Sequence, residues 1–190
     1  MPGIKSRPVY QPLALDGSGA RHLLLVEGAQ PPEGAALPTV VETWLVAAYS
    51  RAIPGRLDFD EAVPTRLAFR STAQMLTRLA QRLRTERMGV RLYAVGEEDF
   101  LWDVNGIAAE AGLGRQEIRL THAGSLRRRV ICVHCGARTE GVTTNIVACD
   151  GCGARLFVRD HFSRRLAGFM GVQADAEAPG ELPEIVESYR

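Results

Sequence analysis

Residues 132–136 read Cys-Val-His-Cys-Gly, and residues 149–153 read Cys-Asp-Gly-Cys-Gly. These two Cys-x-x-Cys pairs contain all four cysteines of the chain. Four thiolates at this spacing can surround one metal ion as a tetrahedron, and the glycine after each pair allows the sharp backbone turn that such a site needs. The pattern predicts one metal site with four ligands: Cys132, Cys135, Cys149 and Cys152.

Three kinds of cysteine chemistry compete for this pattern. A closed structural zinc site is favoured, because paired Cys-x-x-Cys motifs are typical of zinc ribbons. A rubredoxin-like iron centre, which carries electrons, uses the same turns, but residues 136–148 between the pairs contain no aromatic residue. Disulfides are disfavoured, since nothing else in the sequence indicates export. Four thiolates leave no open position for water, so the site is expected to be non-catalytic, with His134 a solvated bystander.

The composition indicates a protein with a substantial core and no pronounced net charge. The chain has 190 residues, of which 46% are hydrophobic, and a formal net charge of +1. This length accommodates one ordinary domain plus a small module, and the charge gives no general attraction to nucleic acid or anionic membranes. No apolar run approaches the roughly eighteen residues of a membrane span, and the N-terminus lacks a signal-peptide core. We therefore expect a cytoplasmic location, where cysteines stay reduced.

Four regions are predicted along the chain. Residues 1–20 form an irregular N-terminal arm, and residues 21–123 form an α/β domain. Residues 124–172 form a zinc-ribbon module with a short helix, which the spacing of Phe162, Leu166 and Phe169 indicates. Residues 173–190 form an acidic tail, which its prolines keep extended.

The α/β domain is predicted from alternating strand and helix patterns. Short apolar runs indicate strands at His22–Val26, Leu67–Phe69, Val90–Val95 and Ile118–Leu120. Such alternation favours a parallel sheet with flanking helices. Three helices are expected. The first is capped by Thr39 and Glu42, has its apolar residues at Val41, Trp44, Leu45 and Ala48, and ends at Pro54 and Gly55. The second begins at Ser71 or Thr72, buries Met75, Leu79 and Leu83, and ends at a left-handed cap at Gly89, and the third has Leu101, Val104, Ala108 and Ala111 on one face.

Other residues that could carry chemistry give weaker signals. The cluster Arg127–Arg129 before the metal motif suggests a nucleic-acid-binding zinc ribbon as the alternative function, although no aromatic residue interleaves the arginines. Two features count against nucleotide binding. The carboxylates of Glu97, Glu98 and Asp99 at a helix N-terminus would repel an anionic cofactor, and the loop after the first strand, Gly28–Pro38, lacks the tight glycine spacing of a phosphate-binding turn. His161 could serve as a ligand, a base or a partner contact, but spacing assigns it no catalytic arrangement.

The C-terminal third combines the cysteine pairs with three further segments: Val-Thr-Thr-Asn-Ile-Val (142–147), Arg-Asp-His-Phe-Ser-Arg-Arg-Leu (159–166) and Phe-Met-Gly-Val-Gln-Ala-Asp-Ala-Glu (169–177). Together they resemble the DmmA-type small subunits of bacterial dimethylamine monooxygenase, a haem-dependent oxidative N-demethylase. The resemblance implies a complex that oxidises a methylamine and captures the released one-carbon unit. It implies partner subunits that carry the haem, a flavin and iron–sulfur reductase (FMN and a [2Fe–2S] cluster), and a folate-binding module for tetrahydrofolate. Only the four cysteines carry over as site residues.

Residues 91–100, Arg-Leu-Tyr-Ala-Val-Gly-Glu-Glu-Asp-Phe, followed by a helix and Glu117-Ile-Arg-Leu, are similar to the last nucleotide-binding segment of ferredoxin-reductase-type domains. Those domains show Cys-Gly-Pro where this chain has Val95-Gly96-Glu97, and a glycine-rich loop where this chain has residues 28–32. Because both departures fall on cofactor contacts, the resemblance implies a degenerate reductase-like fold kept as a docking scaffold. The expected function is therefore a non-catalytic, zinc-binding subunit that helps to assemble the catalytic subunits.

Overall fold

A computed structural model of the chain describes residues 6–28, 41–46 and 66–190. Within these ranges the chain forms two compact units, which we describe separately. The α/β unit comprises the described part of residues 10–123, and the cysteine module comprises residues 124–190 together with residues 6–9. The N-terminal residues 6–20 contain no helix or strand, and they are divided between the two units.

A parallel sheet forms the centre of the α/β unit. Its strand order is β3-β2-β1-β4-β5, and every neighbouring pair is parallel. This confirms the parallel sheet predicted from the alternating pattern. The order equals the first five positions of the doubly wound order found in dinucleotide-binding folds. The elements are β1 (Arg21–Val26), β2 (Val41–Val46), β3 (Arg66–Phe69), α1 (Thr72–Leu83), β4 (Val90–Gly96), α2 (Glu98–Glu110) and β5 (Ile118–His122).

The two helices cover one face of this sheet. Met75, Leu79 and Leu83 of α1 and Leu101 and Val104 of α2 belong to a buried cluster with side chains from β1, β2 and β4. On the opposite face, Leu24, Val41, Tyr93 and Val95 form a second cluster, against which Leu13 and Leu15 of the N-terminal segment pack. In the part of the chain that the structure describes, no helix has the length and apolar character that crossing a membrane requires.

The start of α1 agrees with the sequence prediction, but its end does not. Ser71 is the N-cap, and its hydroxyl accepts a hydrogen bond from the Gln74 N–H at 3.2 Å. The helix ends at Leu83, before Gly89. Gly89 does have a positive φ of 94°, but it lies in the turn before β4, where its carbonyl accepts from the Ala20 and Arg21 N–H groups. The prediction of a helix cap at Gly89 was therefore wrong.

The helix predicted around Trp44 is also wrong in the described range, because residues 41–46 form β2. Trp44 pairs in parallel register with Leu25 of β1. Trp44 and Val46 pack on the helix-covered face, whereas Val41 and Leu45 pack on the other, which is the two-residue period of a strand buried on both sides. The predicted cap residue Thr39, the downstream Ala48, Pro54 and Gly55, and residues 29–38 of the predicted loop lie outside the described residues.

The cysteine module is built on a second sheet, with strand order β7-β6-β10-β9-β8. All its pairs are antiparallel except β6 with β10. Cross-strand packing buries Val130, Leu156, Val158, Phe162 and Phe169. The strands are β6 (Arg128–Cys132), β7 (Arg138–Val142), β8 (Ile146–Ala148), β9 (Arg155–Ser163) and β10 (Gly168–Gln173).

The short helix predicted from Phe162, Leu166 and Phe169 is absent, because these residues belong to the β9–β10 hairpin. Phe162 and Phe169 lie opposite each other across the hairpin, with ring centroids 5.0 Å apart in an edge-to-face arrangement. A Cβ on Gly168 would lie 3.0 Å from the Arg129 carbonyl oxygen, so β10 approaches β6 too closely for a larger residue there. The apolar spacing that suggested a helix thus reflects a contact between two strands.

Residues 181–190, which we call the tail strand, run extended along the cysteine module. A bridge pairs Glu187 with Thr144 in antiparallel orientation, and the N–H of Ser188 donates to the Thr143 carbonyl at 2.8 Å. The acidic tail, residues 173–190, was predicted to be extended. Residues 174–180 instead form turns and bends, and residues 184–189 lie on the connection between β7 and β8 of their own chain.

Candidate metal centre

The two cysteine pairs lie in two hairpin turns of the second sheet. Cys132 ends β6, and Cys135 lies in the turn that leads to β7. Cys149 directly follows β8, and Cys152 lies in the turn that leads to β9. Because β8 and β9 form one edge of the sheet and β6 and β7 the other, the metal motif links the two outer hairpins.

The two turns repeat the same backbone geometry. In the first, the Cys132 N–H donates to the Ala137 carbonyl and the Gly136 N–H donates to the Cys132 carbonyl, both at 2.9 Å. In the second, Cys149 and Gly153 make the equivalent bonds, again at 2.9 Å. Gly136 and Gly153 have φ values of 74° and 73°, a conformation that favours glycine. The glycine after each cysteine pair thus closes the turn, as its position in the sequence predicts.

The four sulfur atoms converge at one point. All four Sγ atoms lie within 4.8 Å of one another, with Cys132 and Cys152 3.9 Å apart and Cys135 and Cys149 3.6 Å apart. A tetrahedral ion with zinc–sulfur bonds of about 2.3 Å has sulfur–sulfur edges of roughly 3.8 Å. Both distances are close to that value and well above the sulfur–sulfur distance of a disulfide, ~2.05 Å. The donor set therefore fits a zinc or iron ion bound by four thiolates.

Backbone groups and burial make the thiols unequal. The N–H groups of Cys152 and Gly151 lower the pKa of Cys149 to about 7. The Ala137 N–H lowers the pKa of Cys135, but desolvation and the other three thiols together outweigh it and raise that pKa to about 11. A divalent cation reverses this neighbour effect, because a coordinating thiol is deprotonated by the ion's charge. Four thiolates this close together would need such a cation to offset their mutual repulsion.

Two residues that sequence reasoning missed support the second turn. The buried hydroxyl of Thr139 on β7 accepts a hydrogen bond from the Asp150 N–H at 3.1 Å, which joins the two cysteine turns directly. The Gly151 N–H donates to the Cys149 sulfur at 3.4 Å. Gly151 is the third residue of Cys-Asp-Gly-Cys, so its position was visible, but the close approach of Ala137 from the other turn was not.

Replacing Gly151 with alanine is expected to weaken metal retention by roughly 10- to 100-fold, the usual cost of disturbing the groups around metal ligands. An added Cβ would lie 2.5 Å from the Ala137 Cβ and 3.2 Å from the Cys135 sulfur, so one cysteine turn must move. A competition titration with a chromophoric chelator measures the change. Gly106→Ala is the control, because a Cβ there meets nothing within 4 Å and the backbone of Gly106 does not have a positive φ. Equal metal affinity of the Gly151→Ala variant and the wild type would contradict this prediction.

The two histidines considered from the sequence lie outside the sulfur cluster. His134 is exposed in the first turn and is not among the four clustered ligands. His161 is exposed on β9, where its Nδ1 lies 3.2 Å from the Ser6 hydroxyl. The neighbouring Asp160 forms ion pairs with Arg7 and with Arg128. These contacts give Asp160 and His161 a role in holding Ser6 and Arg7 onto the module.

The arginine cluster before the metal motif is not an open basic surface. Arg128 and Arg129 are only 6% and 8% exposed. Arg129 donates to both carboxylate oxygens of Glu140 at 2.7 and 2.9 Å, and Arg128 donates to Asp160 at 3.0 Å. A run of three identical residues gave no indication of which of them would be buried. The nucleic-acid interpretation thus loses two of the three consecutive arginines on which it rested.

The α/β unit places a carboxylate where doubly wound sheets bind ligands. In such sheets the ligand crevice lies at the carboxyl ends of two neighbouring strands whose chain connections leave in opposite directions. Here these strands are β1 and β4. Glu27 follows β1, and its carboxylate accepts from the Glu97 N–H at 3.0 Å and from the Thr72 hydroxyl at 3.2 Å. Glu27 therefore binds the N-terminal ends of both α1 and α2, which makes the crevice unfavourable for an anionic cofactor.

Glu27 was not singled out from the sequence, although a carboxylate directly after a buried strand is a visible signal. Gly96 leaves the space that its side chain fills, because a Cβ on Gly96 would lie 2.6 Å from the Glu27 Cβ. Burial, together with the nearby Asp99 and Glu97 carboxylates, raises the pKa of Glu27, although hydrogen bonds from the Glu97 N–H and the Thr72 hydroxyl oppose the shift.

Replacing Glu27 with glutamine is expected to change how the stability of the α/β unit depends on pH. Because the folded-state pKa of Glu27 is raised, the folded wild type binds this proton more tightly than the unfolded chain. The wild type should therefore lose stability, relative to the variant, as pH rises from the usual carboxyl value of 4.5 through the raised pKa. Urea unfolding followed by tryptophan fluorescence measures this, since both tryptophans of the chain, Trp44 and Trp102, lie in this unit. If the unfolding free energy of the wild type minus that of the variant stays constant or rises over that range, the prediction is contradicted.

Comparison with known proteins agrees with the sequence resemblance. Residues 129–172 match the C-terminal domain, and residues 59–118 the N-terminal domain, of the family described as dimethylamine monooxygenase subunit DmmA-like. The chain is 33% identical over 162 residues to the heme-dependent oxidative N-demethylase delta subunit of Ectopseudomonas mendocina (strain ymp), which covers 85% of this chain and 84% of that relative. No solved structure gave a significant match. Both domain matches and the extent of the identity show that this chain belongs to the DmmA-like family of dimethylamine monooxygenase subunits.

Proposed function

We propose that this protein is a non-catalytic, zinc-binding small subunit of a haem-dependent dimethylamine monooxygenase, in which it helps to assemble the catalytic subunits. The observation that carries the proposal is the closed cluster of four sulfurs in a chain related to an N-demethylase delta subunit. The residues that would hold the zinc are Cys132, Cys135, Cys149 and Cys152. Bound there, the zinc would supply structural cross-linking, because four thiolates leave no position for water or substrate.

The other residues of the chain suit a scaffold. Glu27 binds the two helix N-termini at the crevice where a related fold would bind phosphate groups. The redox groups of the proposed complex would therefore lie on other chains: haem on the catalytic subunit, FMN and a [2Fe–2S] cluster on a reductase subunit, and tetrahydrofolate on a folate-binding subunit. A cytoplasmic location is part of the same proposal, since it keeps the four thiols reduced for the metal.

Co-expression with the other subunits of the N-demethylase tests this function. We expect the protein to copurify with a haem-containing subunit and to carry one zinc per chain, measured by inductively coupled plasma mass spectrometry on the intact complex. A protein that stays separate from the haem subunit on size-exclusion chromatography would overturn the assembly role.

Metal analysis of the same sample distinguishes zinc from iron. The four-sulfur geometry also suits a rubredoxin-like iron centre, which would make the protein an electron carrier. Zinc bound by four thiolates is colourless, whereas iron in this site is coloured. A red, iron-loaded protein that accepts electrons from the reductase would replace the structural role with electron transfer.

A further inference from the structure

Residues 184–190 of the tail strand are held in place by contacts with the cysteine module. The Asn145 side chain donates to the Glu184 carbonyl at 2.9 Å and accepts from the Val186 N–H at 2.7 Å. The Asn145 N–H donates to the Val186 carbonyl at 3.0 Å. Further along, the Tyr189 ring stacks on the Arg128 guanidinium, 3.8 Å from the ring centroid. The backbone of residues 184–190 is therefore fixed, although nearly all of these residues are exposed.

The fixed segment directs apolar side chains outward. Leu182, Ile185 and Val186 are 41%, 51% and 47% exposed. Leu126 is 60% exposed, and its N–H donates to the Arg190 carbonyl at 2.7 Å, so it lies at the end of the same strand. Single exposed apolar residues are ordinary, but several along one rigid segment mark a contact surface. An exposed apolar side chain costs free energy in water, and a tail without fixed contacts could bury these side chains against its own module. Because the fixed backbone keeps them exposed, we infer that an external partner covers them.

The charges along the tail strand specify the partner. Glu181, Glu184 and Glu187 alternate with the apolar residues, and Arg190 pairs with Glu187 at 2.5 Å. A surface that binds this segment must offer an apolar groove with arginine or lysine at its rim. A second copy of the chain fits poorly, because a two-fold contact between tail strands would bring the same glutamates together.

We propose that the tail strand docks in an apolar groove with a basic rim on another subunit of the N-demethylase complex. This inference rests on the proposed function, because it assumes that the chain works within that complex. The tail strand offers a preformed extended segment, so docking does not require it to lose backbone entropy at that moment.

The test compares three variants of the full chain co-expressed with the other subunits. Ile185→Asp combined with Val186→Asp leaves the backbone bonds to Asn145 available but puts charge into the groove, and it is expected to weaken assembly at least tenfold. Glu181→Gln combined with Glu184→Gln is expected to weaken assembly and to reduce its dependence on salt. Met88→Asp, at an exposed apolar residue of the α/β unit that is 97% exposed, is the control and should assemble like the wild type.

The outcomes separate this inference from the proposed function. Each variant is first checked for wild-type metal content and protease resistance of residues 124–172, so that unfolding is not mistaken for lost docking. If the wild type assembles and both tail variants assemble equally well, the docking surface is overturned while the assembly role stands. If the aspartate variant fails the fold check, the glutamine variant decides alone, and unchanged assembly and salt dependence overturn the inference. If the wild type itself does not assemble, both proposals fail.

Discussion

Replacing Cys149 with serine is expected to unfold the cysteine module while the α/β unit stays folded. The Cys149 sulfur lies 3.6 Å from that of Cys135 on the opposite turn, so its loss would leave three of the four proposed ligands and separate the two outer hairpins. Structural zinc sites contribute about 10–16 kcal/mol of apparent binding free energy in small peptides, and a unit of this size has little core to replace such a contribution. The α/β unit has separate buried clusters and should keep its stability.

Limited proteolysis with mass spectrometry measures the expected difference. Residues 124–172 should become sensitive to protease and lose at least nine-tenths of the bound metal, whereas the fluorescence of Trp44 and Trp102 should report an unchanged α/β unit. His134→Ser is the matched control, because it alters an exposed residue in the other cysteine turn that is not one of the clustered ligands. Protease resistance of residues 124–172 in the Cys149→Ser variant would show that the module does not depend on the metal.

The sequence was sufficient for features that depend on local order. Each cysteine pair and its following glycine form one turn, so the four-sulfur cluster was predictable once the two hairpins were assumed to meet. The buried runs of β1 and β4 and the Ser71 cap of α1 are equally local signals. These elements were predicted because their residues interact with near neighbours in the chain.

Features that depend on long-range pairing were missed or mistaken. Trp44 and Leu45 satisfied a helical spacing but were drawn into the sheet by parallel pairing with β1. Phe162 and Phe169 also satisfied a helical spacing, yet they meet across a hairpin. Glu27 meets the Glu97 N–H across 70 residues, and no local pattern indicates such a contact. The errors thus follow one physical rule, in which tertiary pairing overrides local propensity.

Arg128 illustrates how the fold changed the meaning of a residue. The sequence placed it in a basic surface cluster, but the structure sandwiches its guanidinium between the rings of Phe169 and Tyr189, 3.9 and 3.8 Å from their centroids. Its Nη2 donates to Asp160 at 3.0 Å, while its buried Nη1 has no hydrogen-bond partner among the described residues. The arginine therefore joins β6, β9, β10 and the tail strand inside the module.

Replacing Arg128 with alanine is expected to destabilise the cysteine module by about 2–3 kcal/mol. The variant loses two cation–π contacts and one hydrogen bond to a carboxylate, and it leaves a cavity between two rings. The cost is below the ~3–5 kcal/mol of breaking a fully buried ion pair, because Asp160 is partly exposed and keeps its ion pair with Arg7. Arg128→Met should cost at least about 1 kcal/mol less than alanine, since it fills the space and removes the unpaired Nη1.

Hydrogen exchange with mass spectrometry measures both parts of this prediction, because the module contains no tryptophan to report its unfolding. Exchange in residues 181–190 should rise most in the alanine variant, since Tyr189 loses the guanidinium on which it stacks. Arg127→Ala is the matched control: Arg127 is the exposed neighbour in the same cluster and should change the module by less than about 0.5 kcal/mol. If Arg127→Ala and Arg128→Ala have equal effects, Arg128 acts as a surface charge and the stacked arrangement does not stabilise the module.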